Sequence, residues 1–354
     1  MNKHVRKLGG GMQLAAAATL TLNMDEEDHM TLEGNREPNA TERESCRQEA
    51  GAAQAYRERL KALSEEIIED CSRPECHTHI GFEPIPSRQA VVEIIERMRE
   101  LLFPGFFSRV KVDPVSFRYA IGQVTTALFD LLSEQISRSI RYECFRFERE
   151  CTNCEERGYE MALQVLASIP EIRRMLASDI RGTYDGDPAA KSTDEIVYSY
   201  PGLQTTAVYR VAHRLFELDV PMLPRMMTEH IHGITGIDIH PGADIGEGFV
   251  VDHGTGVVIG ETAHIGKDVR IYQGVTLGAL SLPKGAGDQY RGKKRHPTIE
   301  DDVIIYAGAT ILGGDTVIGA RSIIGGNVWL TESVPPDTIV MIEDPRLVKK
   351  TRSL

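Results

Sequence analysis

Large aromatic side chains are scarce in this 354-residue chain: they make up 6% of it and include a single Trp, so its cores must be built from aliphatic and small residues. Positive charge is in deficit too. Forty Lys and Arg against 52 Asp and Glu leave a formal charge of −12, the wrong sign for non-specific binding to a phosphate backbone, and nucleic acid is not an expected partner. Only six cysteines occur (Cys46, Cys71, Cys76, Cys144, Cys151 and Cys154), all in the first half. They are too sparse for a disulfide scaffold in a chain this long, and reduced thiols in a cytoplasm are expected.

Long apolar runs are also missing. None reaches the roughly 18 residues of a spanning helix, so no membrane segment is expected. The N-terminus imitates a signal peptide, with Lys3, Arg6 and Lys7 ahead of an apolar stretch from Met12 to Leu22. That stretch is short, carries Gln13 and Thr19, and runs into Asp25-Glu26-Glu27 without a small-x-small cleavage site. A cytoplasmic protein is the better expectation.

What the chain has in excess is glycine, 32 residues, of which twenty lie at or after Gly233. The organisation explains where they fall. Residues 1–50 are polar, charged and without sustained period, as in a poorly ordered arm. Residues 51–234 read as an all-helical domain, with apolar residues at three and four spacing over Ala52–Cys71, Arg88–Leu102, Val115–Arg141, Tyr159–Ala167 and Leu203–Leu218. Pro and Gly punctuate the joins at Pro84-Ile85-Pro86, Phe103-Pro104-Gly105, Ile169-Pro170 and Tyr200-Pro201-Gly202, and a loop is expected near Gly182–Lys191.

From residue 235 to 340 the period is six. Val, Ile or Leu stands at 239, 245, 251, 259, 265, 271, 277, 299, 305, 311, 318, 324 and 330, and nine of those twelve steps are six residues long. Gly follows the apolar residue at 246, 260, 266, 278, 319 and 325. Neither a lone helix nor a flat sheet has this period. A β-helix does: each hexad supplies one short strand and one corner, three faces close a coil, the apolar residue points inward, and Gly lets the chain turn. Thirteen faces make a little over four coils. The expected fold class is therefore α + β, helices first and then a parallel β-helix of hexapeptide repeats, with residues 341–354 left as a C-terminal tail.

The breaks in the rhythm point to function, because a stacked solenoid tolerates extra residues only where they bulge outward. An eight-residue step after Val251 carries Asp252-His253-Gly254-Thr255-Gly256, and a seven-residue step after Ile311 carries Gly313-Gly314. The longest, 22 residues from Leu277 to Ile299, throws out a loop at 279–297 that contains Lys293-Lys294-Arg295-His296-Pro297. A His at a period break suits proton removal near neutral pH. Asp238 precedes His253 by fifteen residues, slightly less than one coil, which allows the two to sit on adjacent rungs and share an orienting hydrogen bond. For His213, His230 and His232 an ordinary structural role is expected.

The ordered set Asp238-Ile239-His240-Pro241, Asp252-His253-Gly254-Thr255-Gly256, Gly260-Glu261-Thr262 and Arg295-His296-Pro297 resembles the serine O-acetyltransferases, a family of hexapeptide-repeat acyltransferases. Upstream, Ser178-Asp179-Ile180-Arg181, Asp185-Gly186-Asp187-Pro188-Ala189 and Tyr209-Arg210-Val211-Ala212-His213 match the family's helical domain, so the likeness covers roughly residues 160–340. It implies a left-handed β-helix and transfer of acetyl from acetyl-CoA, the co-substrate, to the hydroxyl of L-serine, the first step from serine to cysteine. It further implies His253 as general base, Asp238 as its orienting carboxylate, Asp187 and Asp252 on the substrate ammonium, and Arg295 with His296 on its carboxylate. By the same match Gly278, Ala279, Ala307, Gly325 and Gly326 line the CoA groove, with a backbone N–H near Gly278 or Ala279 as oxyanion donor. No metal is expected.

The resemblance also implies a homotrimer or a dimer of trimers with sites between protomers, feedback inhibition by cysteine, and a C-terminal tail that docks in O-acetylserine sulfhydrylase, a role Leu354 would have to fill. The loop, with Leu280-Ser281-Leu282-Pro283-Lys284, is longer than in the compact type and resembles a long-loop subgroup. Three rivals stand beside this. A metal-dependent hydratase on the same fold needs two zinc histidines five residues apart, a spacing that His240, His253, His264 and His296 do not offer. An acyltransferase for another hydroxyl acceptor shares the repeats. An N-terminal metal module would use Cys151-x-x-Cys154 with Cys71, Cys76, His77 and His79.

Overall fold

The computed structural model describes residues 39–79, 81, 84–108, 111–150, 153–281, 285 and 287–343. The chain divides into two compact units, the first ending at Gly81 and the second beginning at Phe82. The signal-like stretch at 12–22, Cys151 and the tail with Leu354 lie outside the described residues.

Among the described residues the first unit holds one α-helix, α1 (Ala40–Cys71), followed by a 3₁₀ turn at Pro74–Cys76. Residues 40–50 therefore belong to a helix and not to the arm expected over 1–50. The cause is a capping box: the Asn39 side chain accepts from the Glu42 amide at 2.9 Å, and the Glu42 carboxylate accepts from the Asn39 amide at 2.9 Å.

In the second unit α2 (Arg88–Leu102), α3 (Phe117–Arg146), α4 (Cys154–Gly186), α5 (Thr193–Ser199), α6 (Pro201–Glu217) and α7 (Leu223–Thr235) pack around Ile94, Leu128, Leu132, Ile136, Val165, Leu176 and Leu215, each 0–1% exposed. The join expected at Ile169-Pro170 is absent: Pro170 lies inside α4. A proline forfeits one helical hydrogen bond, but buried Ile169, Ile172 and Leu176 hold the helix together on both sides of it. The loop expected from Gly182 is correspondingly shorter, because α4 continues to Gly186.

The β-helix starts at Asp238 and stacks three parallel faces. The first holds β1 (Asp238–Ile239), β4 (Val258–Ile259), β7 (Thr276–Gly278), β10 (Thr310–Leu312) and β13 (Trp329–Leu330). The second holds β2 (Asp244–Ile245), β5 (His264–Ile265), β8 (Thr298–Ile299) and β11 (Val317–Ile318). The third holds β3 (Val250–Asp252), β6 (Arg270–Tyr272), β9 (Ile304–Ile305), β12 (Ile323–Ile324) and β14 (Ile339–Val340). Register pairs Ile239 with Ile259, Ile245 with Ile265 and Val251 with Ile271, so the head of each hexad stacks on the next.

The described prism has about five coils, against the little over four expected. Val334 bridges Ile318 on the second face, and Val340 pairs with Ile324 on the third. Both escape the six-residue count because the step from Leu330 to Val334 is only four residues.

Helices and prism are joined by buried polar contacts. Arg210 on α6 donates from Nε and Nη2 to the Asp179 carboxylate on α4, both at 2.9 Å, and from Nη1 and Nη2 to the carbonyls of Ile245 and Gly246. The Phe249 amide also donates to Asp179, and the Tyr209 hydroxyl to the Ala243 carbonyl. Beside them α6 runs so close to β3 that a Cβ on Gly202 would stand 2.1 Å from the Val251 carbonyl oxygen, one residue before the Asp252-His253 turn.

Candidate active site

The residues singled out from sequence fall at two edges of the prism. At the edge between the third and first faces, Asp252 ends β3 and His253 follows it with φ 55°. This left-handed corner is uncommon for a side chain larger than Gly. It holds the imidazole 74% exposed, with Nδ1 3.7 Å from Asp252 Oδ1. Gly254 is required next: it has φ 82°, and a Cβ there would collide with Ile237 Cδ1 at 2.4 Å.

Helix α4 ends at the same edge. Asp187 caps it, accepting the Ala189 amide at 2.8 Å and the Tyr200 hydroxyl at 2.6 Å. The Tyr200 bond above all holds the Asp187 carboxyl below its usual range, helped by the nearby charges of His253 and Arg270. Tyr200 is in turn pushed up to about 12, by the bond to Asp187 first. Arg270 on β6 donates to the Gly182 carbonyl, and its guanidinium fills the space where a Cβ on Gly186 would go. Ala307, Gly325 and Gly326 lie on this edge in later coils.

The edge between the first and second faces carries the other group. Thr262 organises it: its hydroxyl accepts the amides of Arg295 and His296, at 2.9 and 3.1 Å, and its amide donates to His296 Nδ1 at 3.1 Å. That bond leaves the proton of the neutral ring on Nε2. His296 is 8% exposed, and its ring occupies the place of a Cβ on Gly260. Burial, with Arg295 next, lowers its pKa to about 4. Arg295 is ion-paired with Glu261. Burial raises that carboxyl, but the hydrogen bond and charge of Arg295 outweigh it and hold Glu261 below its ordinary value. Gly278 and Ala279 open the loop from this edge.

Asp238 leads β1, 3.6 Å from Arg225 Nη1, and is felt by His240, whose pKa burial and Arg225 lower. The orienting hydrogen bond expected between Asp238 and His253 is not made within one chain. The extra residues of the Asp252–Gly256 turn lengthen the first coil, so Asp238 registers with Val258 and His253 sits in the corner before it. No hydrogen bond or ion pair among the described residues links the Asp187–Asp252–His253 group to the Glu261–Arg295–His296 group. Among the same residues one cluster of possible metal ligands converges, Glu229, His232 and Asp238, and Arg225 is paired into it.

No protein-family model matches the chain. It is, however, 47% identical over 263 residues to the "Serine acetyltransferase, plasmid" of Synechococcus elongatus, covering 73% of this chain and 82% of that protein. The chain belongs to the serine acetyltransferases. Among solved structures of the family, serine acetyltransferase isoform 3 of Entamoeba histolytica in complex with cysteine superimposes with TM-score 0.61 at 38% identity, over 73% of this chain and 84% of that one. Serine acetyltransferase 1 of the same organism, in complex with L-cysteine, gives TM-score 0.61 at 37% identity over 70% and 86%.

This serine acetyltransferase chain has five supporting residues to which the sequence assigned no role: Tyr200, Arg270, Arg225, Glu261 and Thr262. Glu261 was within reach, since it belongs to the Gly-Glu-Thr motif. Tyr200 and Arg270 carry no local signal, because the fold alone brings them to Asp187.

Proposed function

We propose that the chain is a serine O-acetyltransferase, moving acetyl from acetyl-CoA to the hydroxyl of L-serine to give O-acetyl-L-serine and CoA. The observation that carries this reading is the presentation of His253, held out of a left-handed corner between Asp252 and Gly254, beside the anchored carboxylate of Asp187. Two carboxylates suit a substrate ammonium. The opposite edge supplies Arg295 and the Nε2–H of His296, which suit a carboxylate. An amino acid requires both signs in one pocket, and one chain keeps them on separate edges.

We therefore assign the site to the junction of neighbouring protomers in a homotrimer, Asp187, Asp252 and His253 coming from one and Asp238, Arg295 and His296 from the next. There His253 takes the hydroxyl proton as the serine oxygen bonds to the thioester carbon. The carbonyl electrons pass to oxygen, stabilised by a backbone N–H at Gly278 or Ala279. Collapse breaks the C–S bond, and the imidazolium returns the proton to the departing thiolate. Asp238 orients the imidazole and balances its charge. The small residues Gly278, Ala279, Ala307, Gly325 and Gly326 keep the backbone open to the pantetheine arm.

Cysteine differs from serine only at the reacting atom, so the same groups accept it and it competes with serine. An assay of CoA thiol release with L-serine, homoserine and a sugar acceptor tests the reading. Serine-dependent release is expected; release with the sugar alone would assign another acceptor, and no release with serine would overturn the proposal.

A further inference from the structure

Helix α7 carries Arg225, Glu229 and His232 at spacings of four and three, which set them along one face. The helix stops at Gly236, left-handed at φ 72°, two residues before Asp238, so that this face ends beside the first strand of the prism. Ligand atoms of Glu229, His232 and Asp238 all lie within 4.8 Å of one another. Two carboxylates therefore meet just past a helix C-terminus, whose free carbonyls are themselves negative. Like charges this close repel, and a cation between them is needed to keep both in place.

We propose that Arg225 is a positioning residue for Asp238, fixing its carboxylate for the imidazole of His253 on the neighbouring protomer. The proposal rests on the acetyl-transfer reading above. The guanidinium is shared unequally between the two carboxylates. Nη2 is tightly ion-paired with Glu229, while Nη1 stands 3.6 Å from Asp238 Oδ1, too far for a hydrogen bond. Arg225 thus balances the charge of Asp238 without occupying its oxygens. No side-chain hydrogen bond among the described residues takes them either, and they are left to accept an imidazole N–H.

Glu229 sets this division. Its Oε2 is 3.2 Å from His232 Nδ1, which fixes the carboxylate from the far side. So held, Glu229 draws the guanidinium back from the two-pronged grip that an arginine readily takes on a carboxylate. An Asp238 gripped in that way would be spent on Arg225 and lost to His253.

Steady-state thiol release by the full-length protein tests this. Arg225→Gln is expected to lower kcat about tenfold with the KM for serine and for acetyl-CoA changed less than about twofold, because the contact acts on the base and not on substrate binding. Arg225→Lys keeps the charge and should stay within about threefold of wild type. Asp238→Asn is expected to lower kcat about 10²- to 10⁴-fold. In that background Arg225→Gln should change kcat less than about twofold, since the group it positions is already disabled. A wild-type kcat in Arg225→Gln, a Lys variant as slow as the Gln variant, or the same fold loss in both backgrounds overturns the proposal and leaves the acetyl-transfer reading standing. Absence of serine-dependent release by the wild type, or a wild-type rate in Asp238→Asn, would instead overturn the role given to Asp238 and this proposal with it.

Discussion

The Tyr200 hydroxyl donates a 2.6 Å hydrogen bond to the carboxylate of Asp187, and the ionisation of each is tuned by the other. Because the folded protein lowers the Asp187 pKa, the carboxylate persists to lower pH than a free one would. Tyr200→Phe is expected to raise the KM for serine about three- to tenfold, the scale of one hydrogen bond to a charged group, with little change in kcat. The acid limb of kcat/KM for serine should move to higher pH. Unchanged KM and unchanged pH profile would separate Tyr200 from the serine site.

Removing the base tests the chemistry itself. His253→Ala should lower kcat for thiol release about 10²- to 10⁴-fold. The imidazole is exposed and bonded to nothing in the core, so the melting temperature should hold. Near-wild-type turnover would remove His253 from the mechanism.

The Asp179–Arg210 pair is a matter of stability. Both side chains are 2–3% exposed, and burial pushes the Asp179 carboxyl up against the pull of Arg210. Arg210→Leu would leave that carboxylate buried without its counter-charge, with backbone amides such as that of Phe249 still bonded to it, and a loss of about 3–5 kcal/mol is expected in urea unfolding. A loss below about 1 kcal/mol would mean that the pair does not lock the helices to the prism.

His296 makes acid destabilisation testable. Its pKa is depressed to about 4 in the folded protein, against an ordinary 6.5. Its contribution is therefore present above pH 6.5 and is lost as pH falls toward 4, where the unfolded chain binds a proton that the folded one refuses. His296→Gln should flatten the fall in melting temperature over that window. An equally steep fall in the variant would place the acid sensitivity elsewhere.

Most of the prism was legible because its code is local. The apolar head of a hexad points inward, and Ile239, Ile259 and Leu277 on the first face fall inside where the period puts them. The code carried across the breaks after Val251, Leu277 and Ile311, and it missed Val334, which follows a step of only four residues. Helix starts were less legible: the Asn39–Glu42 box was present in the sequence but lay in a polar stretch with no apolar rhythm to draw notice.

The sequence by itself determined the class of fold, the break that carries His253 and the motifs that group with it, because those depend on hexad spacing and on which backbone corners a Gly permits. Tertiary structure alone decided that Tyr200 and Arg270 serve Asp187, that Glu261 and Thr262 hold Arg295 and His296, and that Asp238 and His253 do not meet within one chain. These are contacts between residues 13 to 88 positions apart, and their geometry follows from coil length and helix packing, which no local pattern encodes.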